Sequence, residues 1–299
     1  MTHPLLLTRR ALLSAAAMAG TSALIPGALW AQEGPAPATA PAPATAFPWA
    51  GEELYYKVKI NGAEAVHAAL RLGQLRTLKG DIPYVPLAAT IKSVGLFHSV
   101  YPMNDRANTF IHAATLQPLR SEKLIQEAGK ERVYNVDYKV SEYAAHVEQI
   151  RDKKPRSYIT PVPDSIHDAF TWFLHLRRRD DLAIGLKLDY FIYDGWKLSR
   201  VALHVVAEES VLTPLGWVKS WKLDLEREIL RSAFDMTDAK SKGRAARPPI
   251  LKVITPAKPT GALWISQDAR RLPVKIKMES TIGTGVVELA RHIPAAPTP

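Results

Sequence analysis

The 299-residue chain contains no cysteine, which removes disulfide staples, thiolate metal ligands and thiol redox chemistry together. It also lacks a G-x-S-x-G elbow, a P-loop and an H-E-x-x-H pair, three recurrent frameworks for hydrolysis, phosphate binding and zinc chemistry. Internal repeats are absent. Beyond the N-terminus, no stretch is apolar for the roughly 20 residues that a membrane-spanning helix needs. Acid is missing from the whole leading segment up to Glu33. Stability must therefore come from an apolar core and strand pairing, and any catalysis would have to be built without these frameworks.

The acid-free N-terminus has a positive identity. Thr8-Arg9-Arg10-Ala11-Leu12-Leu13 opens an Ala/Leu-rich run ending at Leu29-Trp30-Ala31, the n-region, h-region and small-residue order of a signal peptide over residues 1–31. The paired arginines resemble a twin-arginine signal, which predicts export to the periplasm. Gly20, Pro26 and Gly27 interrupt the apolar run before it reaches span length. Residues 32–48 follow as a Pro/Ala-rich linker with polyproline-like stiffness and no core-forming pattern. Residues 49–293 then read as a single β-rich domain, and 294–299 as a Pro-rich tail.

The formal charge is +10, with much of it between Lys240 and Lys258, where a basic loop is expected at about 235–259. Such a loop is either solvated or drawn to anionic lipid or cell-envelope polymer. Export argues against nucleic acid. Nothing in the sequence names a protein partner.

Strand signals dominate the domain. Leu54, Tyr56, Val58 and Ile60 alternate with Tyr55, Lys57 and Lys59, and Asn61-Gly62 tolerates the positive φ of a tight hairpin. Val66, Ala68, Leu70 and Leu72 return on one face, and Val85, Leu87, Ala89 and Ile91 continue the pattern. Further strands are expected at 106–111, 119–125 and 132–140, with one interrupted strand at 147–158. After residue 186 the alternation resumes, and Gly261 to Leu289 reads as a three-strand meander.

One segment breaks the alternation. Pro163 to Arg178 places Ile166, Ala169, Phe170, Phe173 and Leu174 at helical spacing, with Asp164 and Ser165 at the start and arginines in the last turn. The predicted fold is mainly β: a curved antiparallel sheet, or half-open β-barrel, wrapped around one central helix.

Several residue patterns resemble a family of exported bacterial proteins catalogued as domain of unknown function 3108. They are Gly51-Glu52-x-Leu54-x-Tyr56, Tyr101-Pro102-x-x-Asp105-Arg106, Asp164-x-x-x-Asp168-x-x-x-Trp172-Phe173-Leu174-x-Leu176-Arg177, Thr213-Pro214-x-Gly216 and Trp264-x-x-x-Asp268-x-x-x-Leu272-Pro273. The resemblance covers Gly51 to Leu289 and carries no established activity. The last pattern is also similar to the final hairpin of the lipoprotein-carrier fold, LolA/LolB-like. That resemblance implies a strongly curved sheet holding acyl chains under a helical lid.

The chemistry-bearing residues do not converge in the sequence. His167 and His175 lie eight apart, the wrong spacing for one metal on a helix, and read as polar-face residues. Asp164 and Asp168 read as cap and first-turn acids. No haem, flavin or iron–sulfur ligand set is visible, so no cofactor is expected. The expectation is a non-enzymatic periplasmic protein that binds or carries a lipid or other apolar envelope molecule. Its lining would be Tyr56, Val58, Leu70, Leu87, Ile91, Phe170, Phe173 and Trp221. A structural or partner-binding protein with a filled core is the alternative, and a periplasmic hydrolase the third. Plug and lid differ in whether the Phe170/Phe173 face is buried permanently or faces a ligand.

Overall fold

A computed structural model of the protein describes residues 47–234, 247–280 and 283–295. The expected signal peptide, linker residues 32–46, residues 235–246 of the expected basic loop and tail residues 296–299 lie outside the described residues. Two meanders account for most of the chain. The first comprises β1 (Glu53–Ile60), β2 (Ala63–Leu72), β3 (Arg76–Leu78), β4 (Ile82–Ser93), β5 (Asn104–His112), β6 (Pro118–Glu127), β7 (Lys130–Lys139), β8 (Ala144–Arg151) and β9 (Lys154–Pro161). A short helix, α1 (Gly95–Val100), lies between β4 and β5. The chain then crosses over through β10 (Ile166–His167) and α2 (Thr171–Arg177). The second meander comprises β11 (Lys187–Tyr193), β12 (Leu198–Thr213), β13 (Gly216–Ala233), β14 (Ile250–Ser266), β15 (Pro273–Ser280) and β16 (Gly283–Ile293).

Pairing of β16 with β1 joins the meanders into one sheet, ordered β10-β11-β12-β13-β14-β15-β16-β1-β2-β4-β5-β6-β7-β8-β9, with β3 appended to β4. The ladders are antiparallel except β10 with β11. The two ends, β9 and β10, do not pair with each other, so the sheet is large and open. Across the gap, the Tyr138 hydroxyl donates to the Tyr193 carbonyl (2.9 Å) and the Tyr158 hydroxyl to the Gly195 carbonyl (2.7 Å). Below them Val136, Tyr138, Val147 and Ile166 pack with Tyr193 and Leu198. No helix among the described residues is long and apolar enough to cross a membrane.

Turn chemistry sets much of the register. Asn61 (φ 50°) and Gly62 (φ 86°) form the first hairpin turn as their residue types predict. Gly261 has φ 156°, and a Cβ there would lie 1.9 Å from the Lys277 carbonyl oxygen, so glycine permits β14 to approach β15.

Four expectations need correction. The helix begins at Thr171, not near Pro163. Asp168 Oδ1 accepts the backbone N–H groups of Phe170 and Thr171 (2.9 and 2.8 Å), while Thr171 Oγ1 accepts that of Asp168 (3.0 Å). This reciprocal cap starts the helix about two turns late, and Ile166–His167 is claimed by β11. The helix is also not single, since α1 precedes it. The charged run near 151–154 is not a break within one strand but a hairpin turn, with Asp152 and Lys153 at φ 53° and 61°. The basic loop ends early because β14 already starts at Ile250 and pairs with β13. In addition, Phe47, assigned to the linker, is buried against Val85 and Leu174 in the core.

Candidate functional site

Helix α2 lies in the bend of the sheet and presents different faces to the two meanders. Trp172 and Leu176 join a buried cluster with Tyr190, Val201, Leu223 and Leu263 of the second meander. Phe170 and Leu174 join Leu72, Leu87 and Ile111 of the first. Beneath the second face a partly open cavity of about 120 Å³ remains. An apolar cavity of about 150 Å³ is known to admit benzene, so this space suits a segment of a single alkyl chain.

The cavity wall follows from strand periodicity. Leu54, Tyr56 and Val58 alternate inward on β1, opposite Leu70, Ala68 and Val66 on β2. Leu87 and Ile91 continue the wall on β4, Met103 closes one end, and Phe170, Phe173 and Leu174 form the roof. The small side chains of Ala68 and Ala169 leave the interior short of volume on this side.

Three polar side chains line the cavity: Glu52, Tyr56 and Arg177. Arg177 Nη1 and Nη2 donate to Glu52 Oε2 and Oε1 at 2.6 and 2.9 Å, both residues being only 3% exposed. Arg177 also donates to the Arg270 carbonyl (3.2 and 3.3 Å), its guanidinium lies 4.5 Å from the Trp49 ring, and His292 Nε2 lies 2.9 Å from Glu52 Oε1. The pair ties α2 to the chain just before β1 and to the turn before β15. Tyr56 differs: its hydroxyl is buried without a hydrogen-bond partner among the described residues. Burial pushes its pKa up, against a smaller opposing pull from Arg177.

Tyr56, Val58, Leu70, Leu87, Ile91, Phe170 and Phe173 all line this cavity. Trp221 does not. It belongs to the buried cluster of the second meander, with the Arg271 guanidinium 4.3 Å above its ring. Sequence reasoning missed the Glu52–Arg177 pair, although both residues lie within the quoted patterns; their partnership spans 125 positions and has no local signal.

The family model described as "Protein of unknown function (DUF3108)" matches residues 55–290. The chain belongs to the DUF3108 family. No curated protein matches it significantly. Among solved structures, a β-barrel-like DUF1849 protein from Brucella abortus is 8% identical, with 84% of this chain and all of that one covered, at TM-score 0.49. A protein from Parabacteroides distasonis described as a lipoprotein is 12% identical, covering 83% and 97% of the two chains, at TM-score 0.32. An exported protein with YmcC-like fold from Bacteroides fragilis is 11% identical, covering 83% and 99%, at TM-score 0.30.

Elsewhere in this DUF3108 protein, His167 is buried, not on a polar face. Because residues 166–167 are extended, its ring comes within 5.3 Å of His175, which helical spacing would have forbidden. Thr171 Oγ1 lies 3.2 Å from His167 Nδ1, and the Tyr190 hydroxyl 3.3 Å from His175 Nδ1. Burial, with the neighbouring His175, lowers the His167 pKa to about 3, so the ring stays neutral. Asp168 is fully buried and accepts Thr109 Oγ1–H (2.5 Å), whereas Asp164 is exposed and caps no helix. No group of three or more His, Cys, Asp or Glu among the described residues is arranged to hold a metal.

Proposed function

We propose that this DUF3108 protein is an exported, non-enzymatic envelope protein that holds one acyl chain of a lipid between β1, β2, β4 and α2. The observation that carries this reading is the cavity beneath the Phe170/Phe173 face, walled by Val58, Leu70, Leu87 and Ile91. Well-packed interiors leave few voids larger than a water molecule, and a void of this size in a core sacrifices dispersion contacts along its whole lining. A bound alkyl chain restores those contacts and removes apolar surface from water. Its volume favours one chain over two. The Arg9-Arg10 signal pattern supports export, and a filled core in a purely structural protein would have no use for the space.

Lipid extraction followed by native mass spectrometry on protein purified from the periplasm tests this reading. A reproducible mass increment from a single-chain amphiphile, lost on filling the cavity, is the expected outcome. Protein that is ligand-free and binds no added single-chain amphiphile would overturn it.

A further inference from the structure

Resting on the lipid reading, we propose that the Tyr56 hydroxyl donates a hydrogen bond to the carbonyl oxygen of an ester-linked acyl chain, so the cavity selects monoacyl esters over free fatty acids. Three observations lead there. The Tyr56 side chain faces the cavity from β1, between Leu54 and Val58, and its buried hydroxyl has no partner among the described residues. An unmet buried donor is destabilising, so a ligand that supplies an acceptor gains that hydrogen bond without displacing an existing one.

The other two lining polar groups already satisfy each other. Arg177 spends its Nη1, Nη2 and Nε donors on Glu52 and on the Arg270 carbonyl. Glu52 in turn takes both Arg177 nitrogens and faces His292. This end of the cavity is therefore charge-compensated. A carboxylate head would enter it without a free cation and beside the Glu52 carboxylate, which burial makes expensive. A neutral carbonyl meets only the phenol. Burial also keeps that phenol protonated, hence a donor.

The test compares three probes on the purified protein: monooctanoylglycerol, its octyl ether analogue and octanoate at pH 8, with affinities read by calorimetry. The ester is expected to bind about tenfold more tightly than the ether, and octanoate more weakly than the ester. Tyr56→Phe should bring the ester down to the ether's affinity while leaving the ether nearly unchanged. The ligand-free variant should be as thermally stable as the parent or more so, because an unpaired buried hydroxyl has been removed.

Equal binding of ester and ether, a preference that survives Tyr56→Phe, or octanoate binding tightest overturns the hydrogen-bond assignment but leaves the lipid reading standing. A marked drop in stability of Tyr56→Phe also overturns it, by showing that the hydroxyl serves the fold. Failure of both ester and ether to bind overturns the assignment and the lipid reading together.

Discussion

Helix α2 has one face against each meander, and the two interfaces are built from different side chains. Toward the second meander, Trp172 and Leu176 join the large side chains of Tyr190, Trp221 and Leu223 in a buried cluster. Toward the first, Phe170 and Leu174 look across Ala68, with Phe173 on the border where it also touches the second cluster, and about 120 Å³ stays open between them and the edge formed by Pro273, Ile276 and Val287. The helix is thus a plug on one side and a roof on the other, and the two roles divide along the residue sequence Phe170, Trp172, Phe173, Leu174, Leu176. Side-chain volume opposite the helix makes the difference, since both interfaces are apolar.

The strongest way to disturb both interfaces at once is to unfasten the helix. Glu52→Gln leaves the Arg177 guanidinium buried beside a neutral amide, and should cost about 3–5 kcal/mol in urea denaturation. A loss below about 1 kcal/mol would mean that the pair does not anchor α2. The next experiment separates the faces. Trp172→Ala empties a filled site and should cost about 3–5 kcal/mol. Phe173→Ala, on a half-buried residue that already borders a cavity, should cost roughly 1–2 kcal/mol while weakening binding of a single-chain amphiphile. Equal stability losses with no change in binding would erase the distinction between plug and roof.

How far this division can be read from the sequence depends on range. Leu54/Tyr56/Val58 and Val66/Ala68/Leu70 reveal their common face by period-two alternation, and Asn61-Gly62 reveals that they pair. That local information gathers Tyr56, Val58 and Leu70, while the alternation of β4 adds Leu87 and Ile91 and helical spacing adds Phe170 and Phe173. Trp221 alternates just as cleanly on β13, but strand periodicity gives the face of the sheet and not the position along its curve, so nothing local distinguished a filled region from an open one. The start of α2 was hidden for a related reason. Ile166 fits the helical stripe, yet a pairing with Phe191 and the buried cap of Asp168, both tertiary effects, hold it extended. The Glu52–Arg177 pair joins residues 125 positions apart and leaves no periodic trace.

Acidity should sharpen the comparison, because the first meander carries a buried carboxylate with one oxygen unpaired among the described residues. Asp105, on β5 two residues after the cavity-lining Met103, is buried with Oδ2 unpaired among the described residues. Burial raises its pKa from 3.8 to about 7, with Glu127 adding to the rise and Arg132 and the Gln126 N–H opposing it. Glu127 is raised too, burial outweighing its ion pair with Arg132. A folded-state pKa above the unfolded one means that the native state holds a proton that the unfolded chain has released. This group's contribution is therefore fully present below about pH 4 and lost as pH rises to about 7. Asp105→Asn, which retains an acceptor for the Gln126 N–H, should flatten this slope and raise stability at pH 8 by roughly 1–3 kcal/mol. Denaturation midpoints at pH 5 and pH 8 measure it, and parallel slopes in the two proteins would remove Asp105 as the cause.

The smallest expected change in stability is the most direct probe of the open side. Ala68 lies on β2 opposite Tyr56 on one neighbour and Ile91 on the other, and its side chain borders the cavity. Ala68→Leu adds three carbons where space already exists, so overpacking strain is small and the added apolar burial offsets it. Stability should stay within about 1 kcal/mol of the parent. Ala145→Leu is the matched control, placed in the fully buried seam cluster with Val136 and Val147, where the same three carbons should cost about 1–3 kcal/mol. If Ala68→Leu is as damaging as Ala145→Leu, the space beneath α2 does not accept side-chain atoms and the two faces of the helix are packed alike. If it is tolerated but leaves amphiphile binding intact, the space is real and the ligand lies elsewhere. Tolerance together with lost binding is the expected pair of results, because only a ligand that occupies this volume would be displaced by filling it.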